Sequence, residues 1–157
     1  MSFDPNSGFI ADRMLGRLAI WMRLIGLDAL YSNEIAEESL IEKALESGRI
    51  IVTRDRLLSI RKKIRGRVIL LRGNNFREQL KELIGIIGVD PFEKIYTRCL
   101  RCNEIAESIP RSEAAGKIPP YVFETARGFS RCPACKRIYW GATHRENALR
   151  EIRDILV

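Results

Sequence analysis

No apolar run in the sequence approaches the ~20 residues that a bilayer-spanning helix needs, and there is neither an internal repeat nor a low-complexity tract. A membrane-embedded protein and a repeat array are thereby set aside. The opening MSFDPNSG lacks a basic stretch followed by about 7–15 apolar residues, so no secretory signal is expected and the expected location is the cytoplasm. Acidic residues are scarce relative to basic ones: 20 Asp+Glu stand against 27 Lys+Arg, a net charge of +7. That imbalance favours a polyanionic partner, although it says nothing about fold. What is present is ordinary for a globular chain, with 46% hydrophobic and 30% charged residues. Such a balance argues against disorder, collagen-like repeats and a disulfide-dense mini-protein. At 157 residues the chain is one domain, or one domain with a small appended module, and folding buries roughly two thirds of its unfolded surface.

Residues 1–90 alternate short β-rich runs with helical patterns, as parallel βαβ units do. Strands are expected at 8–11, 28–31, 50–53 and 68–71. Ile50-Ile51-Val52-Thr53 is the clearest, being short and β-branched throughout, as in a strand covered on both faces. A helix is expected over 13–25, with Met14, Leu15, Leu18, Trp21, Met22 and Ile25 on one face and Arg13, Arg17 and Arg23 off it. Others are expected over 37–47, with Leu40, Ile41, Ala44 and Leu45 inward, over the basic 56–64, and from a cap at Asn74 or Asn75 to about 87. Gly26, Gly48 and Gly88 read as helix stops. Across 54–77 nine basic residues (Arg54, Arg56, Arg61, Lys62, Lys63, Arg65, Arg67, Arg72 and Arg77) meet one acid, Asp55, a density suited to facing phosphates.

Asp90-Pro91 marks a boundary. The stretch 91–143 holds all four cysteines and, beyond Pro91 itself, four of the six prolines (Pro110, Pro119, Pro120 and Pro133) and reads as a small irregular module. The segment 144–157 closes the chain as a short helix, expected over 147–156, that docks back on the first part through Leu149, Ile152, Ile155 and Leu156. Within the module, Cys99-Leu-Arg-Cys102 and Cys132-Pro-Ala-Cys135 form two CxxC pairs separated by the 29 residues 103–131. Two such knuckles supply the four sulfurs of a closed structural zinc site, here with a loop inserted between them. Disulfides are disfavoured in a chain without an export signal, and a redox CxxC should occur once, at a strand-to-helix junction. Aromatics and basic residues interleave around the knuckles, a mixture able to stack on bases and contact phosphates. Phe123, Phe129 and Tyr139 are read as the module's own core.

Asp12 follows the first strand, and Asp55 follows the third with one residue between. Residues just beyond the carboxyl ends of parallel strands line the ligand crevice, so two carboxylates could meet there. Glu37 or Glu38, at the next helix start, could complete an oxygen-rich pocket for Mg²⁺ or Mn²⁺.

The segments FIADRMLGRLAIWMRLIG, GRIIVTRD and VILLRG, followed by CLRCN, IPPYVFETARGFSRCPACKRIYW and GATH, resemble the PIN-like ribonuclease domain family named after the C-terminal region of Mut-seven exonucleases. The likeness runs through nearly the whole chain in order. It implies an α/β fold: a PIN-like parallel sheet flanked by helices, with a C-terminal zinc ribbon and a metal-dependent ribonuclease activity. The family's acids fall on Asp12, Asp55 and Glu38, with Glu37 the adjacent alternative. Further acids of the wider PIN pattern are replaced by Arg56 and Leu57 after the third strand and by Asn74 and Asn75 after the fourth, where an asparagine is a neutral oxygen candidate. The family carries a histidine at His144, a secondary candidate that otherwise reads as lying beside a helix cap at Thr143. PIN-like domains often pair, so a homodimer is an expectation. The resulting expectation is an RNA hydrolase with Mg²⁺ or Mn²⁺ on Asp12, Glu38 and Asp55, and with Arg13, Arg17, Arg54, Arg56, Arg61, Lys62, Lys63 and Arg65 positioning the backbone. Its rival is an RNA-binding zinc-ribbon protein without catalysis.

Overall fold

The computed structural model of the chain describes residues 2–141 and 143–157. Four short strands, β1 (Phe9–Ala11), β2 (Ala29–Tyr31), β3 (Ile50–Thr53) and β4 (Val68–Leu70), pair all-parallel in the order β2-β1-β3-β4. Parallel neighbours require crossovers, which run through α1 (Gly16–Leu24), α2 (Glu37–Ser47) and the short α3 (Arg56–Ser59), while α4 (Phe76–Ile87) follows β4. Side chains alternate across a strand, and the sheet uses both faces. Phe9, Ala11 and Val52 meet Leu18 and Met22 of α1 and Leu80 and Leu83 of α4. Ile10 and Ile51 meet Leu40, Ile41 and Ala44 of α2 with Leu58 and Ile64. Asn75 caps α4 by accepting from the N–H groups of Arg77 and Glu78, and Gly48 and Gly88 end α2 and α4 in the left-handed conformation.

Several expected boundaries shift for packing reasons. The basic stretch 56–64 is not one helix: α3 stops after Ser59, and a 3-10 turn takes Lys62–Ile64. Leu58 and Ile64, six residues apart, would point about 120° apart on a continuous helix, and the extended Arg61 between them turns both into one cluster. A 3-10 turn at Arg13–Leu15 likewise precedes α1 and leaves Met14 52% exposed. Leu45 is exposed on the flank of α2, and Arg23, expected off the apolar face, is buried.

The cysteine-bearing module contains more regular structure than its sequence suggests. Strands β5 (Glu107–Ile109), β6 (Phe129–Arg131) and β7 (Ile138–Trp140) form an antiparallel sheet in the order β5-β6-β7, and the interval between the knuckles holds α5 (Arg111–Ala114) and α6 (Pro120–Thr125). The last helix, α7 (Thr143–Leu156), begins earlier than expected and inserts Ala148, Ile152 and Ile155 into the larger core. Arg77 of α4 pairs with its Glu151 at 2.6 Å. Among the described residues no helix is long and apolar enough to cross a membrane.

Candidate functional site

Adjacent strand ends bring Asp12 and Asp55 to the same edge of the sheet. Asp12 is 7% exposed, and its Oδ1 accepts from the backbone N–H of Arg13 at 2.7 Å. Its Oδ2 accepts from the Thr53 hydroxyl at 2.6 Å, and that hydroxyl accepts in turn from the N–H of Asp55 at 2.9 Å. Thr53, wholly buried, therefore ties the two acids together. The sequence reading missed it, although a hydroxyl ending an otherwise apolar strand was the available signal. Asp55 uses Oδ1 to cap α3 through the N–H groups of Leu57 and Leu58. Beside Asp12, Tyr31 donates its hydroxyl to the Arg13 carbonyl at 2.8 Å. Gly16 permits this approach, because a Cβ there would lie 2.6 Å from the tyrosine oxygen.

The remaining acids lie in other company. Glu37 pairs with Arg61 at 2.5 Å, and Glu38 lies 3.8 Å from both Arg61 and Lys63. The basic strip is thus partly neutralised by the two glutamates. Arg54 donates to Asn74 Oδ1 at 2.9 Å, which places that asparagine at the β3 and β4 ends. Arg17 stacks over Phe76 at 4.1 Å, and Phe76 stacks on Trp21. Arg13, Arg56, Lys62 and Arg65 are exposed. His144 is exposed in the first turn of α7, where its carbonyl accepts from the Tyr96 hydroxyl. The Thr143 side chain, the expected cap, lies outside the described residues.

Among the described residues, the four cysteines are the sole group of three or more potential metal ligands with ligand atoms all within 4.8 Å of one another. The two knuckles share one backbone pattern. Cys99 N–H bonds the Glu104 carbonyl and Asn103 N–H bonds the Cys99 carbonyl, and Cys132 with Arg137 and Lys136 repeats this. Asn103 and Lys136, each just after the second cysteine, have positive φ of 68° and 62°. All four thiols are free, and Cys99 Sγ lies 3.7 Å from Cys135 Sγ. A disulfide needs about 2.05 Å, whereas a sulfur tetrahedron with zinc bonds of about 2.3 Å has edges of about 3.8 Å. The donor set fits zinc. Burial opposes ionisation of Cys99, but hydrogen bonds from the Tyr139 hydroxyl and from backbone N–H groups bring its thiol down to about 6. Cys102 is pushed up to about 12, first by its hydrogen bond with Cys135 and then by desolvation and the charge on Cys99. Burial, helped by the hydrogen bonds with Cys99 and Cys135, also raises Cys132, whereas a bound divalent cation would favour the thiolate form. Burial and the Cys99 sulfur raise Tyr139.

A buried polar clamp joins the first knuckle to the edge strand β2. Arg23 donates to the carbonyls of Ala29, Leu100 and Arg101. Asn103 accepts from Ala29 N–H at 2.9 Å and donates to Asp28 at 2.6 Å, where Arg49 also binds. Asn103 thus supplies the partner that an edge strand lacks.

No curated protein matches the chain. The model of the Mut7-C RNAse domain matches residues 7–152, nearly the whole chain. The protein belongs to the Mut7-C RNAse domain family.

Proposed function

We propose that the protein is a metal-dependent ribonuclease of PIN-like design whose active centre is the strand-end pair Asp12 and Asp55. The observation that carries this reading is the buried Thr53 bridge holding both acids at neighbouring ends of a parallel sheet, in a chain of an RNAse domain family. Mg²⁺ is commonly held by one or two carboxylates together with substrate phosphates, so two acids meet its minimum and Mn²⁺ can replace it. A divalent ion there would activate water and neutralise charge on the phosphodiester. Thr53 orients Asp12, and the α3 cap fixes Asp55 so that its second oxygen remains for a ligand. Glu38, with Glu37 beside it, joins as a ligand when substrate phosphate takes over Arg61 and Lys63. Asn74 adds a neutral oxygen beside Arg54, and Arg13, Arg17, Arg54, Arg56, Arg61, Lys62, Lys63 and Arg65 position the RNA backbone. His144 contacts phosphate. The four cysteines hold a structural zinc, closed to chemistry, and four unpaired thiols suit the reducing cytoplasm.

The experiment is metal-stripped protein with single-stranded and structured RNA, Mn²⁺ or Mg²⁺ added back, beside Asp12→Asn. Restored cleavage that falls by at least about 100-fold in the variant is expected, a loss on the scale of about 2.7 kcal/mol or more. Equal rates would remove Asp12 from the chemistry. The ion pairs of Glu37 and Glu38 favour a second reading, RNA binding without turnover, which predicts salt-sensitive binding and no cleavage by either protein.

A further inference from the structure

A cleft of about 770 Å³ opens between the ribbon sheet and α7, within the range of about 300–1,000 Å³ usual for small-ligand sites. Its walls carry Tyr96, Tyr121, Tyr139 and Trp140 together with Arg127 and Arg145. These are three of the chain's four tyrosines and one of its two tryptophans, so the cleft gathers most of the aromatics that combine a flat face with a polar edge. The ribbon's core is built on Phe123 stacked on a buried Phe129, with Trp140 packed against it from the cleft side. Tyr121, by contrast, stands 69% exposed on α6.

Two further observations mark the cleft as built. Tyr96 has φ of 61°, a left-handed conformation that disfavours a bulky side chain by about 1–2 kcal/mol. It is held there by its N–H on the Leu24 carbonyl and its hydroxyl on the His144 carbonyl. Tyr139 donates to Cys99 Sγ at 3.0 Å and accepts from Leu100 N–H at 3.1 Å, so one wall hangs directly on the first knuckle. Among the described residues neither Arg127 nor Arg145 takes part in an ion pair, and a single carboxylate, Glu146, shares the lining.

We propose that this cleft is a subsite for single-stranded RNA, in which an unpaired base stacks on Tyr121 and Trp140 while Arg127 and Arg145 hold the flanking phosphates. Exposed aromatic faces beside guanidinium groups are the means by which proteins grip unpaired nucleotides. The subsite rests on the reading of the chain as an RNA-acting domain and specifies which RNA it accepts. Tyr96 bonds the C-terminal end of α1, whereas Asp12 precedes that helix, so the length of α1, about 14 Å, lies between them. A strand of several nucleotides is needed to occupy both places.

The test uses the full zinc-loaded chain and a fluorescein-labelled oligouridylate about twelve nucleotides long. Anisotropy is followed without divalent ion, and cleavage is followed after Mn²⁺ is added. Stacking is worth about 1–3 kcal/mol per base, so Tyr121→Ala should weaken binding by roughly 5–100-fold while Tyr121→Phe binds like wild type. Arg127→Ala should weaken binding and lower the salt slope by about 1. Absence of binding by the wild type, an unchanged affinity in Tyr121→Ala, or equal losses in Tyr121→Ala and Tyr121→Phe would each overturn the subsite. Cleavage by a wild type whose affinity ignores Tyr121 would sink the cleft and leave the nuclease standing. Tyr121-dependent binding without cleavage would do the reverse.

Discussion

The parallel-sheet core and the ribbon are held together by different means. In the core, two apolar clusters cover both faces of four strands, and β1 and β3 are buried at every position. Among the described residues, the ribbon's own buried cluster reduces to Ile109, Ala114, Ala126 and Phe129, while Ile95 joins the larger core. So little burial cannot offset the entropy of ordering the module. Its shape therefore depends on the four-cysteine site and on the clamp that Arg23 and Asn103 make with the core. The core supplies rigidity to the strand-end acids, whereas the ribbon draws its rigidity from the four-cysteine cluster and from its neighbour.

Removing the metal should break this comparison most completely. A structural zinc contributes about 10–16 kcal/mol of apparent binding free energy in small finger modules. Chelation, or Cys132→Ala at a fully buried ligand, should therefore unfold the ribbon outright. Limited proteolysis should then cut between about residues 107 and 141, while the core keeps its cooperative unfolding with α7 still docked through Ile152. Loss of both regions in one transition would show that the core depends on the ribbon as well.

A smaller effect is expected from Arg23→Leu. The carbonyls of Ala29, Leu100 and Arg101 would lose their donor; that of Ala29 is buried and costs about 1–3 kcal/mol when left bare, whereas the part-buried other two turn to water. The denaturation curve should lose about 1–3 kcal/mol and split, with the ribbon transition moving ahead of the core. Arg23→Lys should recover only part of this, since a lysine cannot span several acceptors with a planar fork. An unsplit curve with an unchanged midpoint would mean that apolar contact alone docks the knuckle.

The same contrast governs how much was legible in the sequence. Periodicity and β-branching found the core elements because burial on two faces leaves a repeating pattern, and β3 and α2 agree residue for residue with the expectation. The clustering of the four cysteines was legible because paired CxxC knuckles carry a characteristic spacing. Arg23, Asn103, Thr53 and Tyr139 were not legible, since each acts through one specific long-range polar contact that leaves no period. The break at Arg61 was hidden for a related reason. Local propensity favours a helix there, and only the tertiary cluster around Ile64 requires the turn. Asp12 and Asp55 were placed correctly at strand ends, but nothing in the local sequence revealed that Glu37 and Glu38 face Arg61 and Lys63.

The smallest expected effect sharpens the clamp electrostatically. Burial pushes the Asp28 carboxyl up, but hydrogen bonds from Arg49 and Asn103, with the charges of Arg49 and Arg98, hold it below the ordinary carboxylate range. A folded-state pKa below the unfolded value of about 3.9 means stability that is present above that value and lost as the pH falls through the depressed one. Asp28→Asn should therefore be less stable than wild type near neutrality, and the gap between the two should close as the pH is lowered from about 5 to about 3. With the side chain 29% exposed, solvent screening keeps the gap to about 1 kcal/mol or less. Thiolate protonation also releases zinc in acid, so the difference between the two proteins is the quantity to measure, by denaturant midpoint at each pH. Asp28 and Arg49 both belong to the core, and their pair persists when the ribbon has opened. A gap that stays constant into acid would show that Asp28 works as a neutral hydrogen-bond acceptor and that the clamp owes nothing to its charge.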